Sequence, residues 1–338
     1  MHAFLAELDD KLPKVGWFRN CLITLGVGTS VLFCCRFYLA FRRAKCNNKV
    51  LLSGKTCIIT GANTGIGKAV ALEFARRKAK VILACRDVQK GNDAAIDIRR
   101  SIKDANVNVY QLDLASFTSI RKFVQLYKEN ENALDILVNN AGLMYAPFTK
   151  SEDGIELHFA VNHLGHFLLT NLLLDYMNNH SRIIVVSSAL YKKAQLDLIN
   201  FNEEEIYDAF QAYGKSKLAN ILFVNELQHY LPPHLDITAN SMHPGVVWTE
   251  LARYKLSNFV TKLLYNFFGF FFLRTPDQGA QTIIYMATDP SLKSITNQYF
   301  GDCQIEELLP HARCEKRSSK LWEVSEELTA SNFTRFTK

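Results

Sequence analysis

The chain has eight cysteines but no CxxC pair, and none stands at a metal-site spacing to a histidine. A thiol redox centre and a structural metal are therefore not expected. No long basic run with interleaved aromatics occurs and the net charge is only +6, so nucleic acid is not an expected partner. The composition of a disordered chain is missing too, since 48% of residues are hydrophobic and 21% charged. No small-x-small site follows the first apolar run, which argues against a cleaved signal peptide. What remains is a 338-residue globular chain, long enough for one α/β domain with terminal extensions. Cys57 and Cys85 lie in apolar runs that read as central strands, where cysteine behaves as a small hydrophobe. Reduced thiols facing the cytosol are the expected state.

The run "CLITLGVGTSVLFCCRFYLAF" at 21–41 is close to the ~20 residues needed to cross a bilayer. Arg36 near its end is placed to snorkel to the interface. The run is apolar on all sides and precedes the domain, so a membrane anchor is expected ahead of a peripheral helix or a buried core helix. Lys11, Lys14 and Arg19 precede it, and Arg42, Arg43, Lys45, Lys49 and Lys55 follow. The larger cation count on the C-terminal side places the domain in the cytosol. The division expected is a flank at 1–20, the anchor at 21–41, a basic linker at 42–52, a catalytic domain at 53–325 and a tail at 326–338.

After the linker, strand-like and helix-like runs alternate. "KTCIITGANTGIGKAVALEFARR" reads as a strand, a glycine turn and an amphipathic helix from about Ile66. Gly61, Gly65 and Gly67 let the backbone bend and approach a pyrophosphate, which then meets the positive end of the helix. A second strand, "KVILACR", ends in Cys85 and Arg86, where an acidic residue would hold a ribose 2′-hydroxyl. An uncharged side chain followed by a guanidinium suits a 2′-phosphate, so NADP(H) is expected over NAD(H). The competing reading of Arg86 is a solvated cation at a strand end. Asp113 and Leu114 follow a third strand, and Asn139, Asn140, Ala141 and Gly142 follow a fourth. In an open parallel sheet these carboxyl ends converge on one ligand.

TGANTGIG at 60–67, DL at 113–114, NNAG at 139–142, "VNHLGHF" with Asn162, "VVSSA" at 185–189, Tyr213-x-x-x-Lys217 and "HPG" at 243–245 occur in that order. Together they resemble the short-chain dehydrogenase/reductase family over roughly residues 53–325. "TGANTGIGK", "ACRD", "VNHLGHFLLTNLLL", "KLANILF" and "HPGVV" are most similar to the membrane-anchored, NADP-preferring retinol dehydrogenases. The resemblance implies a Rossmann-type doubly wound parallel sheet of about seven strands in a single domain behind the anchor. It implies catalytic roles for Asn162, Ser188, Tyr213 and Lys217. Cofactor contacts are implied at Gly61, Asn63, Thr64, Gly65, Ile66, Gly67, Arg86, Asp113, Leu114, Asn140, Ala141, Gly142, Tyr213, Lys217, Pro244, Gly245, Val246 and Thr249. Ser188, preferred to Ser187, and Tyr213 would also touch substrate.

The chemistry of each residue fits its implied role. Tyr213 would exchange a proton with a carbonyl or alcohol oxygen, and a free phenol pKa of about 10 is too high for that near neutrality. Lys217, on the same helical face at i+4, is expected to lower it. Ser188 would hold the oxygen in place, and Asn162 would hold a water that links Lys217 to solvent. Read locally, Asn162 and His163 could instead satisfy backbone within a long helix. His158, His163 and His166 lie near one another, but spacings of five and three lack the acidic company of a metalloprotease motif, so packing is expected rather than a metal. Twenty-five positions separate Ser188 from Tyr213, with "FNEEEIYDAF" between them, an insert the retinol dehydrogenases share.

Residues 256–274 hold six phenylalanines and Tyr265, flanked by Lys262 and Arg274. The resemblance makes this stretch the substrate flap. It either dips into a membrane interface to admit a lipid substrate or packs as a core or dimer helix. The expected activity is interconversion of a lipophilic aldehyde or ketone with its alcohol, with all-trans-retinal and retinol leading. The alternatives are a steroid, polyprenol or medium-chain aldehyde substrate, or a non-catalytic nucleotide-binding module. The expected location is the endoplasmic reticulum membrane, with mitochondrial and lipid-droplet membranes as alternatives. A homodimer is compatible with all of this. In a cytosolic domain, the Asn332-Phe-Thr sequon would be silent.

Overall fold

The computed structural model describes residues 43–196, 201–249, 251 and 259–336, together with 27, 30, 32–34 and 36–38. The expected flank at 1–20 and most of the expected anchor lie outside the described residues, as do 256–258 of the expected flap. The described residues of the 21–41 run are helical. Among the described residues, no helix is long and apolar enough to cross a membrane.

Seven strands run parallel: β1 (Thr56–Thr60), β2 (Lys80–Cys85), β3 (Val107–Gln111), β4 (Leu134–Asn139), β5 (Met177–Val186), β6 (Thr238–His243) and β7 (Tyr299–Gly301). Their order is β3-β2-β1-β4-β5-β6-β7, extended at the β7 edge by β8 (Gln304–Ile305). About seven strands were expected. The eighth turns back antiparallel on β7 through Asp302 and Cys303, both at positive φ (48° and 59°). Such a two-residue turn matches the twist of adjacent strands.

Helices cover both faces, which is why β1, β2 and β4 read as unbroken apolar runs rather than alternating ones. Alternation within a strand instead assigns residues to two cores. Cys57, Ile59, Val81 and Leu83 join α1 (Gly65–Arg76), α2 (Val88–Ser101) and α7 (Pro276–Thr288). Ile58, Ile82 and Ala84 face α3 (Phe117–Asn130), α4 (Leu157–Leu173) and α5 (Ala209–Leu227). The helix α8 (Glu315–Leu328) closes this second core with Trp322, which stacks on Tyr230 at 3.7 Å and meets Phe167 edge-on at 4.9 Å. Truncating such a buried ring typically costs about 3–5 kcal/mol. The strand order reverses between β1 and β4, so the crevice beyond their carboxyl ends is where a ligand is expected.

Candidate active site

A cleft of about 410 Å³ opens at that reversal. It is lined on one side by Gly61, Asn63, Thr64, Gly65 and Ile66, and on the other by Ser188, Tyr213, Pro244, Gly245 and Thr249. Gly61 (φ +64°) lies so close to Ala141 that an added Cβ would sit 3.0 Å from its Cα and Cβ. Gly67 lies behind the loop, where a Cβ would meet the Gly61 carbonyl at 2.5 Å and Asn140 Nδ2 at 2.6 Å. Only glycine lets β1, the turn and the NNAG segment pack this tightly.

The first turn of α1 is left without a side-chain cap at Thr64. In contrast, Asp87, Ser116, Asp208 and Thr275 cap α2, α3, α5 and α7. Omitting a cap costs about 1 kcal/mol and leaves backbone N–H groups directed at the cleft, as an anionic pyrophosphate requires. At the end of β2, backbone N–H groups of Ala62 and Asn63 bond to the Cys85 sulfur, whose thiol burial pushes up to about 11. Cys85 thus braces the loop as a neutral group. Exposed Arg86 and Lys90 stand at the cleft beside it. Lys90, one turn into α2, was not singled out in the sequence, because a helical lysine looks like any solvated cation.

Asp113 lines the cleft while its Oδ1 accepts from the Ala115 N–H at 2.9 Å, and Leu114 lies beside it. Thr60 organises the next turn. Its Oγ1 accepts from the Asn140 and Ala141 N–H groups, both at 2.9 Å, and lies 2.9 Å from His166 Nε2. His166 Nδ1 bonds the Asn162 carbonyl at 3.0 Å, and burial holds this histidine neutral with a pKa of about 3. His163 is likewise buried and held near 3, with its Nε2 3.0 Å from Ser325 Oγ. His158 Nδ1 lies 2.7 Å from Glu156 Oε1. The three histidines thus have separate partners. Among the described residues, no His/Cys/Asp/Glu cluster fits a metal ion.

Asn162 lies in a π-helical turn, Ala160–Leu164, that interrupts α4. Its Oδ1 accepts from the Leu143 N–H at 2.9 Å, and its Nδ2 donates to the Leu143 carbonyl and to Ser216 Oγ. It therefore braces the NNAG turn from a distant helix instead of satisfying backbone within its own. Gly142 separates it from the cleft, since a Cβ there would lie 3.2 Å from Asn162 Oδ1 and 3.5 Å from Lys217 Nζ.

Ser188 and Tyr213 share a hydrogen bond at the cleft. Burial pushes the Tyr213 phenol up to about 12, opposed by the Ser188 hydrogen bond and reinforced by the nearby Tyr145 phenol. Burial also pushes the Lys217 ammonium down to about 7. The expected lowering of Tyr213 by Lys217 is therefore not found. Lys217 Nζ donates to the Val186 carbonyl at 2.9 Å and stands 5.8 Å from the centroid of the Tyr213 ring. Lost solvation outweighs that partly discharged neighbour. Four residues named from the sequence do not line the cleft directly: Asn162 and Lys217 lie behind Gly142, Gly67 is packed beneath the loop, and the Val246 side chain is 71% exposed.

The insert packs against the segment that follows the NNAG turn, a contact that sequence reading did not assign. Phe210 stacks on Tyr145 with ring centroids 6.4 Å apart, and the Tyr207 hydroxyl donates to the Ala146 carbonyl at 2.7 Å. Tyr145 takes a φ of +60°, uncommon for a residue with a Cβ, and the Tyr207 clamp on its neighbour holds that turn. The aromatic stretch expected as a flap forms a helix, α6 (Phe259–Phe272). Gly245 (φ +73°) lies against the Arg274 guanidinium, which pairs bidentately with Asp302.

Comparison with known proteins agrees with this geometry. A family model described as short chain dehydrogenase matches residues 55–258. Retinol dehydrogenase 14 of Mus musculus is 45% identical over 288 residues, covering 82% of this chain and 86% of that protein. Retinol dehydrogenase 12 of Mus musculus is 43% identical over 290 residues, covering 85% and 90%. A crystal structure of an uncharacterised protein from Mycobacterium Paratuberculosis superposes with a TM-score of 0.67 at 32% identity, covering 84% of this chain and 97% of that one. A Shigella flexneri short chain dehydrogenase complexed with NADP shares the fold at 21% identity and a TM-score of 0.57, covering 76% and 100%. With its glycine loop, braced NNAG turn and Ser188–Tyr213 pair set at one cleft, the chain is an oxidoreductase of the short-chain dehydrogenase/reductase family.

Proposed function

We propose that the chain uses NADP(H) to interconvert a lipophilic aldehyde or ketone with its alcohol, with all-trans-retinal and retinol as the leading pair. The observation that carries this reading is the Ser188–Tyr213 pair facing a cleft that Leu143, Val161, Val247 and Leu251 also line. The names of the relatives support the choice of substrate. The uncapped α1 turn and the Arg86–Lys90 pair fit a nicotinamide cofactor with a 2′-phosphate.

The bound cofactor supplies or accepts the hydride. The protein does the rest. Ser188 Oγ donates a hydrogen bond to the substrate oxygen and fixes its position. Tyr213 Oη delivers the proton as negative charge builds on that oxygen. Burial keeps the phenol protonated at neutral pH, so the proton is present for delivery. Lys217, which donates to the Val186 carbonyl, would contact the cofactor ribose, and Asn162 would hold a water that links Lys217 to a proton relay. The other cofactor contacts are those residues named from the sequence that line the cleft: Gly61, Asn63, Thr64, Gly65, Ile66, Asp113, Leu114, Asn140, Ala141, Gly142, Pro244, Gly245 and Thr249.

Residues 53–325 form the catalytic unit. The 21–41 run anchors it in the endoplasmic reticulum membrane facing the cytosol, and 256–274 meets the membrane interface. A homodimer is compatible with this arrangement. The test is a panel of retinal, a steroid ketone, a polyprenyl aldehyde and a medium-chain aldehyde, with NADPH or NADH, in lipid vesicles. Retinal with NADPH should lead. Tyr213→Phe should slow it by roughly 10³-fold while NADPH still binds. Equal rates for parent and variant would sink the catalytic assignment, and turnover of nothing in the panel would favour a nucleotide-binding module.

A further inference from the structure

Arg43, just beyond the N-terminal apolar run, reaches the last turn of α6. Its Nη1 donates to the Leu273 carbonyl at 3.1 Å and to Gln278 Oε1, and its Nη2 donates to the Phe272 carbonyl at 2.9 Å. Carbonyls at a helix C-terminus lack intrahelical donors, so a guanidinium there satisfies them and meets the negative end of the dipole. The placement is not free. Burial and the neighbouring Arg274 both disfavour the Arg43 charge.

Two more residues join the N-terminal segment to α6. The Phe33 ring meets Phe271 edge-on at 5.4 Å and Phe270 at 6.5 Å. The Arg36 guanidinium lies 4.0 Å from the centroid of the Phe270 ring. The helix is in turn joined to the cleft. Arg274 N–H donates to the Val246 carbonyl at 3.0 Å, and the Arg274 carbonyl accepts from Trp248 N–H at 2.8 Å. The Tyr265 phenol shares a hydrogen bond with the Thr249 backbone, and Trp248 lies beside Gly269 of α6. Val247, Thr249 and Leu251 line the cleft.

We infer that the N-terminal segment is a working part of the substrate side. Phe33, Arg36 and Arg43 hold α6, and α6 holds the 246–251 wall in the arrangement that accepts a lipophilic carbonyl. Arg43 touches neither substrate nor cofactor and acts as a positioning residue. The inference takes its substrate from the proposed reductase reading, whereas its geometry stands apart from that reading.

The test compares full-length parent, Arg43→Ala and Phe33→Ala in phosphatidylcholine vesicles by amide hydrogen exchange and kinetics. Exchange over 246–251 and 259–272 should rise by at least about five-fold in both variants, with 56–76 unchanged. For Arg43→Ala, KM for retinal should rise by roughly five-fold with kcat held within about two-fold. Its KM for a short water-soluble aldehyde and its NADPH affinity should match the parent. Parent-like exchange over 246–251 would overturn the inference. So would a loss of NADPH affinity and melting temperature in step with KM, because that would mark a general structural prop. If the parent reduces no lipophilic aldehyde, the reductase reading falls and exchange alone decides the coupling.

Discussion

On the cofactor side of the cleft, contact is made by backbone that glycine allows to approach, as Gly61 against Ala141 and Gly67 against Asn140 illustrate. Around the other side, large side chains are held from a distance: Tyr145 by Phe210, its neighbour Ala146 by Tyr207, and α6 by Arg43. The first construction tolerates almost no change in shape, since an added methyl group meets main chain. The second rests on single side-chain contacts, each removable by one substitution.

The largest effect that would sharpen this contrast concerns Lys217, at the join of the two sides. Its ammonium is pushed from 10.5 down to about 7 by burial. Below about pH 7 both folded and unfolded chains hold the proton, and the full burial penalty opposes folding. Between about 7 and 10.5 the unfolded chain keeps the proton that the folded chain has lost, so stability rises with pH there. Lys217→Met should therefore stabilise the cofactor-free protein at pH 7 by on the order of 4 kcal/mol, while activity collapses. Asn220 Nδ2, at 3.2 Å from the Val186 carbonyl, keeps that acceptor bonded. Melting curves at pH 7 and pH 10 should show the gain shrinking towards zero. A variant that melts below the parent at pH 7 would mean that the ammonium stabilises the fold.

A smaller effect is expected at Arg86. Arg86→Ala should weaken NADPH binding by about 10-fold and NADH binding hardly at all, the size of one charge-assisted contact at an exposed position. Equal weakening of both would place Arg86 outside the 2′-phosphate contact. The smallest effect belongs to the substrate wall. Tyr207→Phe leaves the Ala146 carbonyl without its phenol donor, a loss of about 1 kcal/mol. KM for a bulky carbonyl should then rise by a few-fold while NADPH affinity and kcat for a small aldehyde stay put. A change in NADPH affinity instead would erase the distinction between the two sides.

Legibility in the sequence divides along the same line. Apolar runs and glycine turns are local signals, so β1, β2 and β4, the phosphate loop and the NNAG turn could be read directly. Resemblance to a family then pointed to Ser188, Tyr213, Lys217 and Asn162. What could not be read depends on folding distant residues together. Thr60 and His166 are 106 positions apart yet share a hydrogen bond beneath the NNAG turn. Tyr207 reaches Ala146 across 61 positions, and Arg43 reaches Leu273 across 230. The direction of the Tyr213 shift was missed for a related reason: helical spacing gives proximity to Lys217 but not the burial that outweighs it. The β8 hairpin escaped because Asp302 and Cys303 carry no glycine to mark their positive φ.

The two shifted groups have a consequence for what enters the cleft. A phenol near 12 and an amine near 7 leave the buried pair without net charge once the pH exceeds 7. A hydrocarbon chain brought against a fixed ion displaces that ion's hydration, which is strongly unfavourable. Here no such hydration has to be stripped. An apolar group placed against this pair would therefore meet a neutral phenol and a largely neutral amine.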